Sequence, residues 1–336
     1  MRASITQVAR EAGVTPAVVS RVLNADLTLR VRAETRERVL EVARRLDYTP
    51  SRAARSLRRS RSNALGLAVH DMSNPLYGEI IQGAQRAVAA AGYALLLADV
   101  DGLARGDESA RKSLHGGAID GLLLQREGTG ADRTIIRDAS SHIPTVLIND
   151  RSRTLASVAL DDVEGARIAT QHLIDLGHSR IAHLRSSGTQ RSDARLRGQR
   201  AALARAGFGL DERWVLDGAH TIERGYAAMR ELLALPDRPS AVVVANVLSG
   251  IGAMTAARDA GLEVPVDISI IAFHDVEYAA HLSPGLTAVA MPLGQLGARS
   301  VELLLELLDG GTARQVTVVD PAPRVVVRGS TAPPRP

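Results

Sequence analysis

The sequence has no cysteine, one tryptophan, two phenylalanines and five tyrosines in 336 residues, and Lys112 is its only lysine. The first absence excludes disulfides, thiolate metal sites and thiol nucleophiles. The scarcity of aromatics means that any core is built from Ala, Val, Leu and Ile. No apolar run reaches the roughly 20 residues of a membrane helix. Met1-Arg2-Ala3-Ser4 leads straight into an amphipathic pattern, without the apolar stretch of a secretory signal. The expected location is the cytoplasm, without membrane association. There is no Gly-x-Ser-x-Gly element, Walker loop or convincing pair of carboxylates, so no catalytic constellation stands out.

What is present is unevenly charged. Residues 1–61 hold fourteen Arg against six Asp/Glu, a net +8; the other 275 hold 27 Lys/Arg against 31 Asp/Glu, a net −4. All the excess positive charge therefore sits on one short segment, as expected of a nucleic-acid reader joined to a larger body. Arginine also favours forked contacts to phosphate and guanine over the single-point contacts of lysine.

The basic segment has a docking shape. Ser4 and Gln7 have capping-box spacing and start a helix at Ile5 that runs to about Ala12. Gly13 breaks it. Thr15 is a good N-cap and Pro16 suits the first helical position, so a second helix runs to about Leu23. Ala9 is small where the helices approach, and Val19 faces the core. A third helix over Ala33–Leu46 places Val39, Leu40, Val42, Ala43 and Leu46 on one face. The basic stretch from Pro50 to Arg61 reads either as a flexible linker or as a segment that orders on DNA, with Leu57 as a wedge into the minor groove.

Beyond residue 61, short apolar runs alternate with helix-length amphipathic stretches. Ala64–Val69, Tyr93–Ala98, Ile119–Leu124, Thr145–Ile148, Ala156–Leu160, Ile181–Leu184, Ala241–Ala245 and Ile268–Phe273 read as strands. Leu76–Ala91 and Leu293–Leu308 read as helices. This alternation predicts parallel sheets covered by helices on both faces, and the length suffices for two. Breaks are expected near Leu160 and Met291-Pro292. Ligands of such sheets sit beyond the carboxyl ends of the strands, which makes Asn149, Asn246, His274 and Asp275 candidates, with Tyr77 at the first strand-to-helix turn. The Pro-rich end, 331–336, reads as a disordered tail.

Two weaker motifs point elsewhere. Gly250-Ile251-Gly252 opens a helix after a strand, as in a dinucleotide fingerprint, but Thr255 stands where the third glycine belongs. His274, Asp275, Glu277 and His281 fit no standard metal spacing. No cofactor is expected. A nucleotide-dependent enzyme and a solute-binding protein are the rival classes.

The run Val8-Ala9-Arg10-Glu11-Ala12-Gly13-Val14-Thr15, followed by Val19-Ser20-Arg21-Val22-Leu23-Asn24, closely resembles the head of the lactose-repressor (LacI/GalR) family of bacterial transcription regulators. Thr35-Arg36-Glu37-Arg38-Val39, Tyr48-Thr49-Pro50, Ala54-Arg55-Ser56-Leu57 and Arg195-Leu196-Arg197-Gly198 extend the likeness over nearly the whole chain. The resemblance implies an α/β protein: a three-helix helix-turn-helix head over 1–49, a hinge helix over 50–61, and a core over 62–330. That core would comprise two doubly wound, parallel-sheet subdomains of the periplasmic-binding-protein type I kind, one from about 62–160 and 292–319, the other from 161–291 and 320–330.

Function follows as an expectation. The resemblance implies a regulator, in all expectation a repressor, that binds a pseudo-palindromic double-stranded operator as a homodimer, with a tetramer left open. A small molecule in the cleft between subdomains, a sugar or related metabolite, would control it allosterically. It implies Pro16, Ala17 and Arg21 as base readers, Thr15, Ser20 and Asn24 on the DNA backbone, and Ala54 and Leu57 in the minor groove. Arg195 and His220 join the effector-binding candidates. Departures stand beside these matches. Val18 replaces a common Thr, and Arg32 replaces the usual Ser before the third helix, removing a cap worth about 1 kcal/mol. Asn246-Val247 stands for Asn-Asp, and His274 for an aspartate that in sugar-binding relatives accepts ligand hydroxyls. Histidine can donate as well as accept, which leaves a non-sugar effector, or none, open.

Overall fold

The computed structural model describes residues 3–24, 26, 28–48, 61–100, 102, 116–127, 130–186 and 188–335. The hinge segment around Ala54 and Leu57 lies outside them. The chain forms two compact units, Met1–Asn63 and Ala64–Pro336.

In the first unit, α1 (Ile5–Ala12), α2 (Pro16–Leu23) and α3 (Ala33–Arg45) close on a core of Val8, Ala9, Ala12, Val19, Val22, Val39, Val42 and Ala43. Ser4 caps α1 through the Gln7 N–H. The return half of a capping box does not form, because the Gln7 amide donates to Glu11 instead. Gly13 ends α1 at φ 64°, and its N–H bonds the Ala9 and Arg10 carbonyls. α3 starts at Arg32 with no side-chain cap. Leu40 is a correction: it is 36% exposed, since the buried residues Val39, Val42 and Ala43 follow the i, i+3, i+4 stripe and Leu40 stands a step of about 100° outside it.

The described residues of the second unit form two six-stranded sheets. The first has the order β11-β5-β4-β3-β1-β2, from β1 (Ala64–Val69), β2 (Ala94–Asp99), β3 (Gly121–Gln125), β4 (Thr145–Ile148), β5 (Ala156–Leu160) and β11 (Gln315–Val318). All its pairings are parallel. The second has the order β12-β10-β9-β8-β6-β7, from β6 (Ile181–Arg185), β7 (Val215–Asp217), β8 (Ala241–Val244), β9 (Ser269–Phe273), β10 (Thr287–Ala290) and β12 (Arg324–Val326); only β10–β12 is antiparallel. The chain thus passes between the sheets three times, after β5, β10 and β11.

Helices cover both faces, and the strands show why. In β8, Ala241 and Val243 pack with Ala166, Ala169 and Leu203, which come from α6 (Asp162–Asp175) and α7 (Gln190–Arg205). Val242 and Val244 point the other way, towards α8 (Ile222–Leu233) and α9 (Val247–Asp259). Both faces are apolar because both are covered. The first sheet likewise lies between α4 (Leu76–Ala90) with α10 (Leu293–Leu308) and α5 (Gly130–His142). The helix pairs meet backbone to backbone. A Cβ on Gly83 of α4 would lie 1.9 Å from the Gly294 carbonyl oxygen of α10, and one on Gly198 of α7 would lie 2.2 Å from the Val163 oxygen of α6.

The expected disorder of the tail is overturned for residues 331–335. The Ala332 N–H donates to Ser269 Oγ at 3.0 Å, and its carbonyl accepts from His178 Nε2 at 2.8 Å. Thr331 Oγ1 pairs with Thr287 and His172, and Arg335 bonds Asp267. Proline prevents helix here but does not prevent an extended segment from being pinned through its remaining polar groups.

The body also buries His183, whose Nδ1 bonds Gln199 Oε1 at 2.5 Å. The Gln199 amide donates to the Ile181 carbonyl, so its oxygen is the acceptor and His183 is the donor. Burial pushes the His183 pKa down to about 4. The unfolded chain takes up this proton near pH 6.5, so between these values the unfolded state binds more protons and stability rises with pH. The contribution is complete above pH 6.5 and is lost as pH falls toward 4. Urea unfolding read by Trp214 fluorescence is expected to show the body about 2 kcal/mol less stable at pH 5 than at pH 7 from this residue alone. Equal midpoints and slopes at the two pH values would contradict it.

Candidate DNA-reading helix and ligand cleft

The outer face of α2 carries the expected DNA-contacting residues. Val19 and Val22 face the core, while Thr15, Pro16, Ala17 and Asn24 are exposed and Ser20 and Arg21 partly so. Thr15 accepts the Val18 N–H as N-cap, and the Asn24 amide donates to the Ser20 carbonyl at the other end. Both are therefore engaged within the helix. Arg21 is steered by the following loop: Nε bonds Asp26 at 2.8 Å and Nη2 bonds Thr28 at 2.9 Å. Bonds from Thr28 and Arg21 hold the Asp26 carboxyl at a pKa of about 2. The guanidinium is thus held in one orientation, and among the described residues its Nη1 makes no hydrogen bond.

The cleft is built between the two sheets. Arg195, 4% exposed, projects from α7 and is held on three sides. Its Nε bonds Asp162 at 2.7 Å, Nη1 the Ala245 carbonyl at 2.6 Å, and Nη2 His274 Nε2 at 3.1 Å. Its guanidinium carbon stands 3.9 Å from the centre of the Phe273 ring. The Arg195-x-x-Gly198 spacing now has a physical reason. Gly198 lets α7 lie against Val163, and a residue one turn earlier on that face meets the neighbouring Asp162.

His274 ends β9 with φ 68°, and Asn149 ends β4 with φ 54°. Left-handed backbone at equivalent places in both sheets is the kind of local strain that collects at functional sites. An arginine cannot accept a hydrogen bond, so His274 Nε2 must present its lone pair to Arg195. Burial first, then the charge of Arg195, pushes its pKa well below the usual value, and the neutral ring carries its proton on Nδ1. Among the described residues that Nδ1–H has no partner, nor do Asn149 Oδ1, Ser192 Oγ, His220 Nε2 and Arg185 Nε, although all are buried. Burial and then Arg191 bring His220 down to a pKa of about 3. Five unsatisfied polar atoms in one region are uncommon in a folded chain. A cavity of about 10 Å³ among Arg185, Arg191, Ser192, Arg195 and His220 has room for roughly one water.

The remaining candidates are placed differently. Asn246 caps α9 through Ser249 N–H and donates to the His220 carbonyl, so it positions the His220 loop. Tyr77 is buried and donates to Gln125 Oε1, with burial pushing its pKa up. Asp275 is ion-paired with Arg328 at 2.7 Å, outside the Arg195 network. Sequence reasoning missed Arg191, Ser192 and Asp162. Arg191 and Ser192 precede Arg195 by four and three residues on one helix, the spacing that shares a face, and Asp162 lies two residues beyond β5.

A DNA-reading three-helix head on a two-sheet ligand-binding body defines a ligand-responsive regulator. The profile described as bacterial regulatory proteins, lacI family, matches residues 4–51, and that of a periplasmic binding protein-like domain matches 170–331. The chain is 33% identical over 323 residues to the ribose operon repressor of Escherichia coli K12, covering 93% of this chain and 95% of the relative. Two solved structures align over nearly all of it. The Lac repressor dimer bound to operator and the anti-inducer ONPF has 25% identity and a TM-score of 0.83, covering 99% of this chain and 100% of that one. The CelR–cellobiose complex has 30% identity and a TM-score of 0.70, covering 98% and 100%. The chain belongs to the LacI family of bacterial regulatory proteins; it is a DNA-binding transcription repressor and not an enzyme. No helix among the described residues is long and apolar enough to cross a membrane.

Proposed function

We propose that the protein acts in the cytoplasm as a homodimer on a pseudo-palindromic operator, and that a small metabolite, a sugar or a close derivative, binds between the two sheets and changes operator affinity. The observation that carries the ligand is the set of unpartnered buried polar atoms around Arg195. The relative crystallised as a dimer on operator DNA supports the dimer. So does Leu96-Leu97 on the edge strand β2, 44% and 46% exposed; an exposed apolar edge invites a second copy. Arg21 reads guanine with two bonds, Pro16 and Ala17 supply shape and methyl contacts, and Ala54 and Leu57 enter the minor groove at the operator centre. Ligand binding changes the relation of the two sheets and through it the spacing of two heads, a coupling of typically 1–3 kcal/mol.

Selection of bound sites from random DNA, followed by footprinting, tests this reading. The expected footprint has two symmetric half-sites about one helical turn apart. Arg21→Ala is expected to relax the base preference at one position in each half-site, costing about 1–3 kcal/mol of discrimination. A single asymmetric half-site bound by one copy would rule out the dimer, and an unaltered preference would remove Arg21 as a reader.

A further inference from the structure

Among the described residues, Arg191 is the cation in the cleft with no ion-pair partner. It is 8% exposed, and its Nη1 donates to the backbone carbonyls of Arg126 and Asn149, each at 3.1 Å. Both acceptors belong to the first sheet's half, whereas Arg191 stands on α7 against the second. The neighbouring charges are balanced: Arg195 by Asp162, Arg185 by Asp193, and Arg126 by Asp150. Asp161 is engaged as the cap of α6. Among the described residues no carboxylate pairs with Arg191. His220 and His274 lie beside it, both neutral, so neither offsets its charge nor adds to it.

A buried arginine keeps its charge, and burial without a partner is costly. Two backbone carbonyls across the cleft are its present substitute. On the His220 side the space beside it is about 10 Å³, too small for a metabolite; the larger cavity of about 250 Å³ on its other side is lined by Asp150, Asp161, Asp162 and Asp193, whose charge repels an anion, so an anionic ligand reaches the His220 side only when the two halves part. Parting breaks both bonds and leaves Arg191 without an acceptor. The surrounding unpartnered atoms are mostly donors: Arg185 Nε, His274 Nδ1–H and the Ser192 hydroxyl. A neutral polyol satisfies some of them but leaves the cation uncompensated.

Resting on the cleft reading above, we infer that the ligand of this protein carries an anionic group, a carboxylate or a phosphate, and that Arg191 is the specificity-determining residue that pairs with it. The donors around it complete the anion's shell, and Asn149 Oδ1 is left for a ligand hydroxyl. Charge-assisted bonds to a forked guanidinium suit both anions.

Calorimetric titration of the full-length protein tests this with D-gluconate and D-ribose 5-phosphate as anionic probes and D-glucose and D-ribose as neutral ones. The expected result is that one anionic probe binds at least tenfold more tightly than its neutral counterpart, and which one binds separates carboxylate from phosphate. Arg191→Gln retains a donor for the carbonyls but loses the charge; it is expected to weaken the anion about ten- to a hundredfold, and to change binding of the neutral sugar by a smaller factor. Arg191→Lys is expected to recover part of the loss, which a merely misfolded variant would not show. Binding of a neutral sugar as tight as that of its acid, an Arg191→Gln protein that holds the anion as well as wild type, or no binding of either anion overturns the inference. Operator affinity measured on the same samples separates the two readings. A neutral sugar that binds as tightly as its acid and shifts operator affinity removes the Arg191 assignment alone, whereas an anion that binds without shifting it removes the allosteric reading alone.

Discussion

Asp162→Ala is expected to lower the stability of the body by about 3–5 kcal/mol, the cost of leaving one partner of a buried ion pair alone. Both side chains of the Asp162–Arg195 pair are about 95% removed from solvent, at 4% and 5% exposure. Burial already pulls the Arg195 guanidinium below its usual pKa, and Asp162 is the main influence opposing that. The Phe273 ring, the Ala245 carbonyl and His274 would remain around Arg195, but none carries a negative charge. Arg191, one turn away on the same helix, would add repulsion. Trp214 is the only tryptophan and lies in the core of the second unit, so its fluorescence in urea reports the body without interference from the head. Replacing both partners, Asp162→Leu with Arg195→Met, is expected to return much of the loss, because no uncompensated charge remains. A single-variant loss below about 1 kcal/mol would mean that the pair is screened like a surface bridge.

The second large effect contrasts two glycines of one helix. Gly78 and Gly83 both lie in α4, one exposed and one buried. Nothing stands within 4 Å of a Cβ at Gly78, whereas one at Gly83 would collide with the Gly294 carbonyl. Gly78→Ala is expected to stabilise the body by roughly 0.5–1 kcal/mol, by reducing the freedom of the unfolded backbone. Gly83→Ala gains the same helix preference but forces α4 and α10 apart. Overpacking typically costs about 1–3 kcal/mol, and the obstacle here is backbone that cannot rotate away, so a net loss of about 2 kcal/mol or more is expected. Urea midpoints of the two variants measured side by side should therefore move in opposite directions. Equal shifts would show that the helix pair slides apart without cost.

The head was legible because its punctuation is chemical. Ser4, Gly13, Thr15 and Pro16 each have one favoured role in helical backbone, and the structure shows those roles. Leu40 misled because a five-residue apolar cluster is wider than the face a short helix can cover. In the body, the long buried strands announced themselves as apolar runs. Val215–Asp217, Gln315–Val318 and Arg324–Val326 did not, being three or four residues long and at sheet edges, where one neighbour suffices and polar residues are tolerated. The cleft was legible only at its anchors. Strand ends pointed to Asn149 and His274, yet the pairing that organises the site, Arg195 with Asp162, joins residues 33 positions apart. The steering of Arg21 by Asp26 and Thr28 likewise depends on a loop whose path no periodicity reveals.

The threefold crossing between sheets has a consequence during synthesis. The first sheet receives its outermost strand from residues 315–318 and the second from 324–326, and the segment that pins β9 lies later still, at Ser330–Ala332. A ribosome that has released the first 300 residues has therefore delivered a complete head and two unfinished halves. α10, which packs against β3, β4, β5 and β11 of the first sheet, is itself incomplete at that point. Both halves are completed almost together, between about residues 308 and 332, since domains consolidate only when their full complement of chain is present. Chains cut before residue 315 should consequently have an intact DNA-reading head and no folded ligand-binding body.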